Sequence, residues 1–328
     1  MTDLADKAQL IQYLQAHGLY TKKGLGQNFL VDRGALERIV DSAEIRPDDC
    51  ILEVGPGLGT LTQHLVGAHR RVVSVEIDDK IANLLVCQFS SINDSRRDPF
   101  TGQFPINNQC SNIKNCKIEN SLKIAKLKID NSRLDIVNGD ILKVNVPELL
   151  GDCRSYKVVA NIPYYITSKI LRLFLEQTPK KPETIVILTQ KELAERVCAK
   201  PGEMSLLSVS VQAYGNPEIV GIVKRDSFFP APEVDSAILR IAIINDQFSI
   251  FNDKEKLSQK DFFRCVRIGF ASRRKTLLNN LSAGYRLEKK VVLDILSEAG
   301  LDEYIRAQEL SIAEWEKLSI SIVKLFNC

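Results

Sequence analysis

The sequence predicts an α/β chain, a mostly parallel sheet covered on both faces, followed by a small all-helical domain. Three observations carry this. Short apolar runs alternate with helix-compatible segments from Cys50 to Leu188, the pattern of right-handed βαβ units. A Gly-rich turn, Gly55-Pro56-Gly57-Leu58-Gly59, directly follows the first of those runs. From Asp261 onward the apolar spacing is helical throughout.

The elements follow in order. Cys50–Val54 and Arg71–Ile77 are strands, with a helix over Leu58–Gly67 between them. A helix from Asp78 to about Gln88 comes next. Leu134–Asn138, Tyr156–Ala160 and Thr184–Leu188 read as further strands. Ser168–Gln177, Lys191–Cys198 and Met204–Ala213 read as helices, and Glu218–Val223 with Asp235–Ile243 as a closing strand pair. Asn245–Gln259 is a polar linker, giving domains 1–246 and 247–328. The second holds helices over Asp261–Phe270, Arg273–Leu281, Lys289–Ala299 and Ile312–Leu325. Residues 90–132, rich in Asn, Lys, Ser and Ile, break the alternation. They are expected to form an irregular, partly disordered surface insertion. Lys114, Lys117, Lys123, Lys126 and Lys128 make it a solvated basic face or an RNA-contacting arm.

With 328 residues, 45% hydrophobic and 26% charged, the chain has the composition of a globular protein. A net charge of +3 is too small to announce a nucleic-acid binder, so the position of the cations matters more than their number. None of the eight cysteines forms a Cys-x-x-Cys pair, and His17, His64 and His69 have no ligand-like spacing to them. Neither a metal site nor a disulfide framework is expected, and scattered free thiols suit a reducing cytoplasm. No apolar run is long enough for a membrane span, and Met1–Leu14 lacks the marks of a signal peptide or presequence.

Glycines in the turn after Val54 let backbone approach a ligand that a Cβ would block. The spacing is G-x-G-x-G, not the dinucleotide fingerprint G-x-G-x-x-G. Glu76, at the end of the second strand, can accept both hydroxyls of a ribose. Asp140, after Gly139 at the third strand end, can accept from an adenine amino group. Taken singly, both acids are ordinary helix-start residues. In this order, after this turn, they favour S-adenosylmethionine over NAD.

Asn161-Ile162-Pro163-Tyr164 follows the fourth strand. The Asn161 amide oxygen and a backbone carbonyl can accept both hydrogens of an exocyclic amino group, aiming the nitrogen lone pair at a methyl carbon. Pro163 fixes the turn and removes a competing donor. Tyr164 offers a ring on which a base can stack.

At these residues the chain resembles the KsgA-type small-subunit ribosomal RNA adenine N6,N6-dimethyltransferases, the RsmA family. The resemblance covers nearly the whole chain outside 90–132. Lys23–Leu30 resembles a cofactor-closing segment, and Glu53–Gly59, Glu76, Gly139-Asp140 and Asn161–Tyr164 the donor and acceptor motifs. Gln190–Glu192 matches the fifth strand's end, and Phe228–Ser236 resembles the F-x-P-x-P-x-V-D-S segment that flanks the target base. Phe270–Leu277 and Arg306–Ser311 match parts of the small domain.

The resemblance implies a Rossmann-like class I methyltransferase sheet. It implies cofactor contacts from Asn28, Leu30, Gly55, Glu76, Asp140 and Asn161, with Gly57, Ile77 and Ile141 beside them. It places a flipped adenine between Tyr164 and Phe228, next to Asn161 and Pro163. It implies phosphate contacts from Arg273, Arg274 and Lys275 at a helix start. It further implies S-adenosylmethionine as donor, the small ribosomal subunit and its rRNA as partner, a cytoplasmic monomer, and no metal or membrane. Met204–Val209 departs from the family's Y-G-x-L-S-V, with altered packing or RNA contact expected there. The alternatives are a large-subunit methyltransferase of the macrolide-resistance type, a transcription factor of the same fold, and an assembly factor without methyl transfer. Val234-Asp235-Ser236 and the Arg-Arg-Lys run favour the small-subunit enzyme.

Overall fold

The structure, a computed structural model, describes residues 3–20, 27–66, 71–90, 124–129, 132–244, 250–251 and 257–327. In chain order the elements begin with α1 (Lys7–Ala16), β1 (Phe29–Leu30), α2 (Arg33–Ser42), β2 (Cys50–Val54), α3 (Thr60–Leu65), β3 (Arg71–Glu76) and α4 (Asp79–Ser90). They continue with β4 (Ile124–Ile129), β5 (Ser132–Asn138), α5 (Val146–Leu150), β6 (Tyr156–Asn161), α6 (Thr167–Arg172), β7 (Thr184–Gln190), α7 (Lys191–Val197) and α8 (Leu206–Gln212). β8 (Gly215–Val223), β9 (Phe228–Phe229), β10 (Ser236–Ile243) and the helices α9 (Gln259–Gly269), α10 (Leu277–Tyr285), α11 (Lys289–Glu298) and α12 (Ile312–Asn327) complete the chain.

Eight strands form one sheet in the order β4-β5-β3-β2-β6-β7-β10-β8. β5, β3, β2, β6 and β7 are parallel neighbours. β2, β6 and β7 carry near-continuous apolar runs because both faces are covered, and Ile51, Leu52, Val158, Val159 and Ile185–Leu188 are fully buried. The order reverses at β2, where β3 lies on one side and β6 on the other. Crevices for ligands open at the carboxyl ends of strands beside such a reversal.

Three expectations are corrected. The segment 90–132 is not irregular throughout: Ile124–Ile129 pairs antiparallel with β5 and forms the sheet edge. Ala125 and Leu127 pack on the core there, and Lys126 is exposed. Lys114, Lys117 and Lys123 lie outside the described residues, as does the side chain of Lys128. Nor are the thiols all free. Cys50 and Cys153 are joined as a disulfide with Cα atoms 6.1 Å apart, and Cys87 is also disulfide-bonded, while Cys198 and Cys265 are free. The parallel pairing of β2 with β6, which sets Cys50 opposite Tyr156, brings together cysteines 103 residues apart. Finally, Arg273–Lys275 form a turn, and α10 begins only at Leu277.

The chain divides into two compact units, Met1–Lys191 with Ile219–Ile241, and Glu192–Glu218 with Ala242–Cys328. The segment Glu192–Glu218 therefore groups with the C-terminal helices, whereas the sequence placed it before a boundary at 246. Its contacts explain this. Tyr214 stacks on Phe263 at 5.9 Å and lies 5.3 Å from Phe251, and the N–H groups of Gly202 and Met204 both donate to the Gln308 carbonyl. Within the same unit, buried Trp315 stacks on Phe270 at 5.6 Å. The Asn280 amide donates to the Gly269 carbonyl at 2.7 Å and the Ser272 carbonyl at 3.0 Å, fixing the turn that carries Arg273.

In the first unit, β1 and β9 leave the main sheet and pair with each other antiparallel. The Val31 N–H donates to the Ser227 carbonyl, and the Ser227 hydroxyl to Asp32, which also caps α2. Leu10, Tyr13 and Leu14 of α1 pack with Phe29, Leu58 and Leu84 against the Gly-rich turn. Among the described residues no helix is long and apolar enough to cross a membrane.

Candidate active site

A cavity of about 290 Å³ opens at the carboxyl ends of β2, β3, β5 and β6. Each strand end supplies a different group. After β2, Gly55 and Gly57 turn with φ of +68° and +56°, a region open to glycine without strain. At Gly57 a Cβ would stand 3.4 Å from the Phe29 ring, an ordinary contact, so the positive φ rather than crowding favours glycine there. The amides of Gly55, Gly57 and Gly59 donate to the Val75 carbonyl, Glu76 and the Pro56 carbonyl, so what the glycines offer a ligand is close backbone approach without side-chain obstruction.

Glu76 ends β3 and is 5% exposed. Its carboxylate accepts from the N–H of Gly57 at 3.2 Å and from the N–H of Asp78 at 2.9 Å. Burial pushes this carboxyl up to about 7, against the lowering effect of those two amides. Asp140, after β5, accepts from the Leu142 N–H at 3.0 Å and lies 3.5 Å from the Lys143 ammonium. Ile77 and Ile141 give the cavity an apolar lining, Ile141 buried and Ile77 55% exposed. Asn28 and Leu30 come from the N-terminal side, Leu30 held in β1. Lys23–Gly26, the rest of that expected segment, lies outside the described residues.

Asn161 ends β6 and is half-buried, and its carboxamide has no hydrogen-bond partner among the described residues. It faces the cavity with Pro163 and Tyr164. The Tyr164 hydroxyl bonds the Ser236 hydroxyl at 2.6 Å, and burial raises its pKa, so the ring carries no charge. A short 3₁₀ turn, Tyr164–Ile166, leads into α6.

The cavity thus assembles Asn28, Leu30, Gly55, Gly57, Glu76, Ile77, Asp140, Ile141, Asn161, Pro163 and Tyr164. Phe228 does not join them. It is 1% exposed, opposite Leu30 in β9, and packed in the main core with Leu36, Leu188 and Val223. The expected sandwich of a base between Tyr164 and Phe228 is therefore not laid out in this structure. Arg273, Arg274 and Lys275 are exposed in the second unit.

Two contributors were not singled out by the sequence. Tyr165, 61% exposed, and Lys169 both line the cavity mouth. Their spacing of four, one helical turn, was the available signal. Ser236, which the sequence singled out only as part of the Val234-Asp235-Ser236 motif, fixes Tyr164 through its hydroxyl. Glu53 sits beneath the turn, fully buried, with Thr62 and Ser74 donating to Oε2 at 2.8 and 2.6 Å and Oε1 unpaired. Burial pushes its carboxyl up to about 7 as well.

A family model described as "Ribosomal RNA adenine dimethylase" matches residues 18–112 and 105–324. The chain belongs to the ribosomal RNA adenine dimethylase family. Among curated relatives of this dimethylase, it is 40% identical over 313 residues to "Ribosomal RNA small subunit methyltransferase A" of Dehalococcoides mccartyi, covering 95% of this chain and 92% of that one. It is 36% identical over 305 residues to the protein of that name from Alkaliphilus metalliredigens, covering 90% of each. Among solved structures it resembles "23S rRNA methyltransferase ErmE", with a TM-score of 0.61 and 27% identity over 90% of this chain and all of that one. A dimethyladenosine transferase from Plasmodium falciparum shares the fold, with a TM-score of 0.62 and 23% identity over 91% of this dimethylase and 97% of that chain. These neighbours establish the Rossmann-like methyltransferase sheet with C-terminal helices.

Proposed function

We propose that this dimethylase transfers methyl groups from S-adenosylmethionine to N6 of two adjacent adenosines near the 3′ end of small-subunit rRNA, giving N6,N6-dimethyladenosine as a step in subunit biogenesis. The observation that carries this is the convergence of Gly55, Glu76, Asp140 and Asn161, from four strand ends, on one cavity. Its chemistry fits the donor. A buried carboxylate suits ribose hydroxyls, an apolar wall at Ile141 suits an adenine, and open glycine backbone suits a close-lying chain. Bound there, S-adenosylmethionine supplies an electrophilic methyl carbon on a sulfonium.

The residues then do positional work. The unpartnered Asn161 carboxamide oxygen accepts a hydrogen from the exocyclic amino group and holds its lone pair toward the donor. Pro163 fixes the following turn, and the uncharged Tyr164 ring gives the base a face to stack on. No group needs to remove a proton before attack, because the amine nitrogen sheds it to water after the bond forms. A neutral Asn161 suffices, because the positive charge passes from sulfur to the amine nitrogen in the displacement and leaves with that proton. Arg273, Arg274 and Lys275 contact RNA phosphates from their exposed turn, which makes binding salt-dependent.

Incubation with labelled S-adenosylmethionine and small subunits lacking these methyl groups tests the reading, with large subunits in parallel and mass spectrometry of digested nucleosides. N6,N6-dimethyladenosine from small subunits alone supports it. Label in large subunits, the substrate named for the ErmE neighbour, or no label in either with donor binding intact, rejects it.

A further inference from the structure

A second cavity, of about 160 Å³, lies wholly within the unit formed by Glu192–Glu218 and Ala242–Cys328. Three stretches distant in sequence meet there. α7 and the turn after it bring Arg196, Glu203 and Met204, the end of α9 brings Phe270 with Arg273 behind it, and the last turn before α12 brings Gln308. Each of these stretches contains a motif that the reaction chemistry leaves unused.

The architecture is stiff. The Gly202 and Met204 amides both donate to the Gln308 carbonyl, tying two walls together. Ser205 caps α8 through a reciprocal pair of bonds with Ser208. Phe270 is backed by Trp315, and the Arg273 turn is held by the Asn280 amide. The functional groups, by contrast, are uncommitted. Arg196 and Arg273 are exposed and make no ion pair among the described residues, and the side chains of Glu203 and Gln308 have no hydrogen-bond partner among them.

A rigid pocket with one aromatic wall, an amide, a carboxylate and two free guanidinium groups has the chemistry of a site for an unstacked nucleotide. The ring of Phe270 supplies a stacking face. Gln308 and Glu203 can bond a base edge, and the guanidinium groups suit the flanking phosphates. The geometry points to this cavity as a second recognition site, which holds a single unpaired, non-reacting nucleotide of the RNA substrate. Arg273 is then a wall of a nucleotide pocket as well as one cation in a basic run. The inference rests on the proposed reading only in taking the partner to be small-subunit rRNA.

The test is photocrosslinking of the wild-type protein to small-subunit rRNA carrying 4-thiouridine, with peptides identified by mass spectrometry. Crosslinks within Glu203–Ser205 and at Gln308 are expected. Crosslinks elsewhere on the protein with none in these stretches overturn the site. As a second measurement, Arg196→Glu is expected to weaken RNA binding by about tenfold. Arg196→Lys should restore part of that, and donor affinity should not change. RNA binding equal to wild type in Arg196→Glu also overturns it. Crosslinks at the pocket without methylation of small subunits would reject the proposed reaction and leave the nucleotide site standing.

Discussion

Leu30 and Phe228 face each other in antiparallel register, and both are buried, 2% and 1% exposed. One belongs to the segment that lines the cavity from the N-terminal side, the other to the segment expected to flank the base. Their pairing makes the Phe228 ring part of the core. Phe228→Ala is expected to destabilise the fold by about 3–5 kcal/mol, read from denaturant midpoints, and Phe228→Leu by less than about 1.5 kcal/mol. Unchanged stability with lost methyl transfer would instead assign the ring to the base.

Donor binding is expected to depend on pH through Glu76. Its carboxyl holds a proton up to about 7 in the folded protein, above the ordinary 4.5. The sign follows: the folded state binds this proton more tightly than the unfolded chain, so ionising the group costs stability as pH rises through that range. Ribose hydroxyls bond best to the ionised form. Donor affinity should therefore fall by about tenfold per pH unit below 7 and level off above it. Calorimetry on wild type and Glu76→Gln checks this, and an equal slope in both would remove Glu76 from the site.

Gly57→Ala would place a side chain at φ +56° and a Cβ 3.4 Å from the Phe29 ring. The expected cost is about 1–2 kcal/mol of stability, together with weaker donor binding, because the Gly57 amide would shift off Glu76. Thermal melts with and without donor read both effects. A variant that melts and binds like wild type would show that the turn tolerates a side chain.

Asn161→Ala should leave the fold intact, because the carboxamide has no partner among the described residues. Methyl transfer should fall by about 100-fold or more through lost positioning. Single-turnover rates at saturating donor are the measurement. A rate near wild type would mean that backbone alone orients the amine.

Much of this site is legible in sequence because it is built at strand ends. The turn after Val54, Glu76, Asp140 and Asn161 each follow a short apolar run, and parallel pairing in register aligns those ends on one side of the sheet. What escaped depends on which strands become neighbours. Ile124–Ile129 mixes Lys with apolar residues and becomes a strand because β5 offers an open edge. Cys50 finds Cys153 only once β2 lies beside β6. Phe228 reads as a site residue until β9 is seen to pair with β1. Glu192–Glu218 looks like a continuation of the sheet domain, but the rings of Phe251 and Phe263 and the Gln308 carbonyl draw it to the C-terminal helices.

The β1–β9 ribbon joins the backbone beside the cavity to the backbone beside Asp235 and Ser236, the latter bonded to Tyr164. Two binding events on one ribbon are linked where each alters the ribbon's order. If donor binding stiffens Asn28 to Leu30, it prepays part of the ordering that RNA would otherwise demand at Phe228 to Ser236. Linkage is reciprocal, so whatever factor by which donor tightens RNA, RNA must tighten donor by the same factor. On that condition product release follows the same rule, and departure of the spent donor would loosen RNA by that factor.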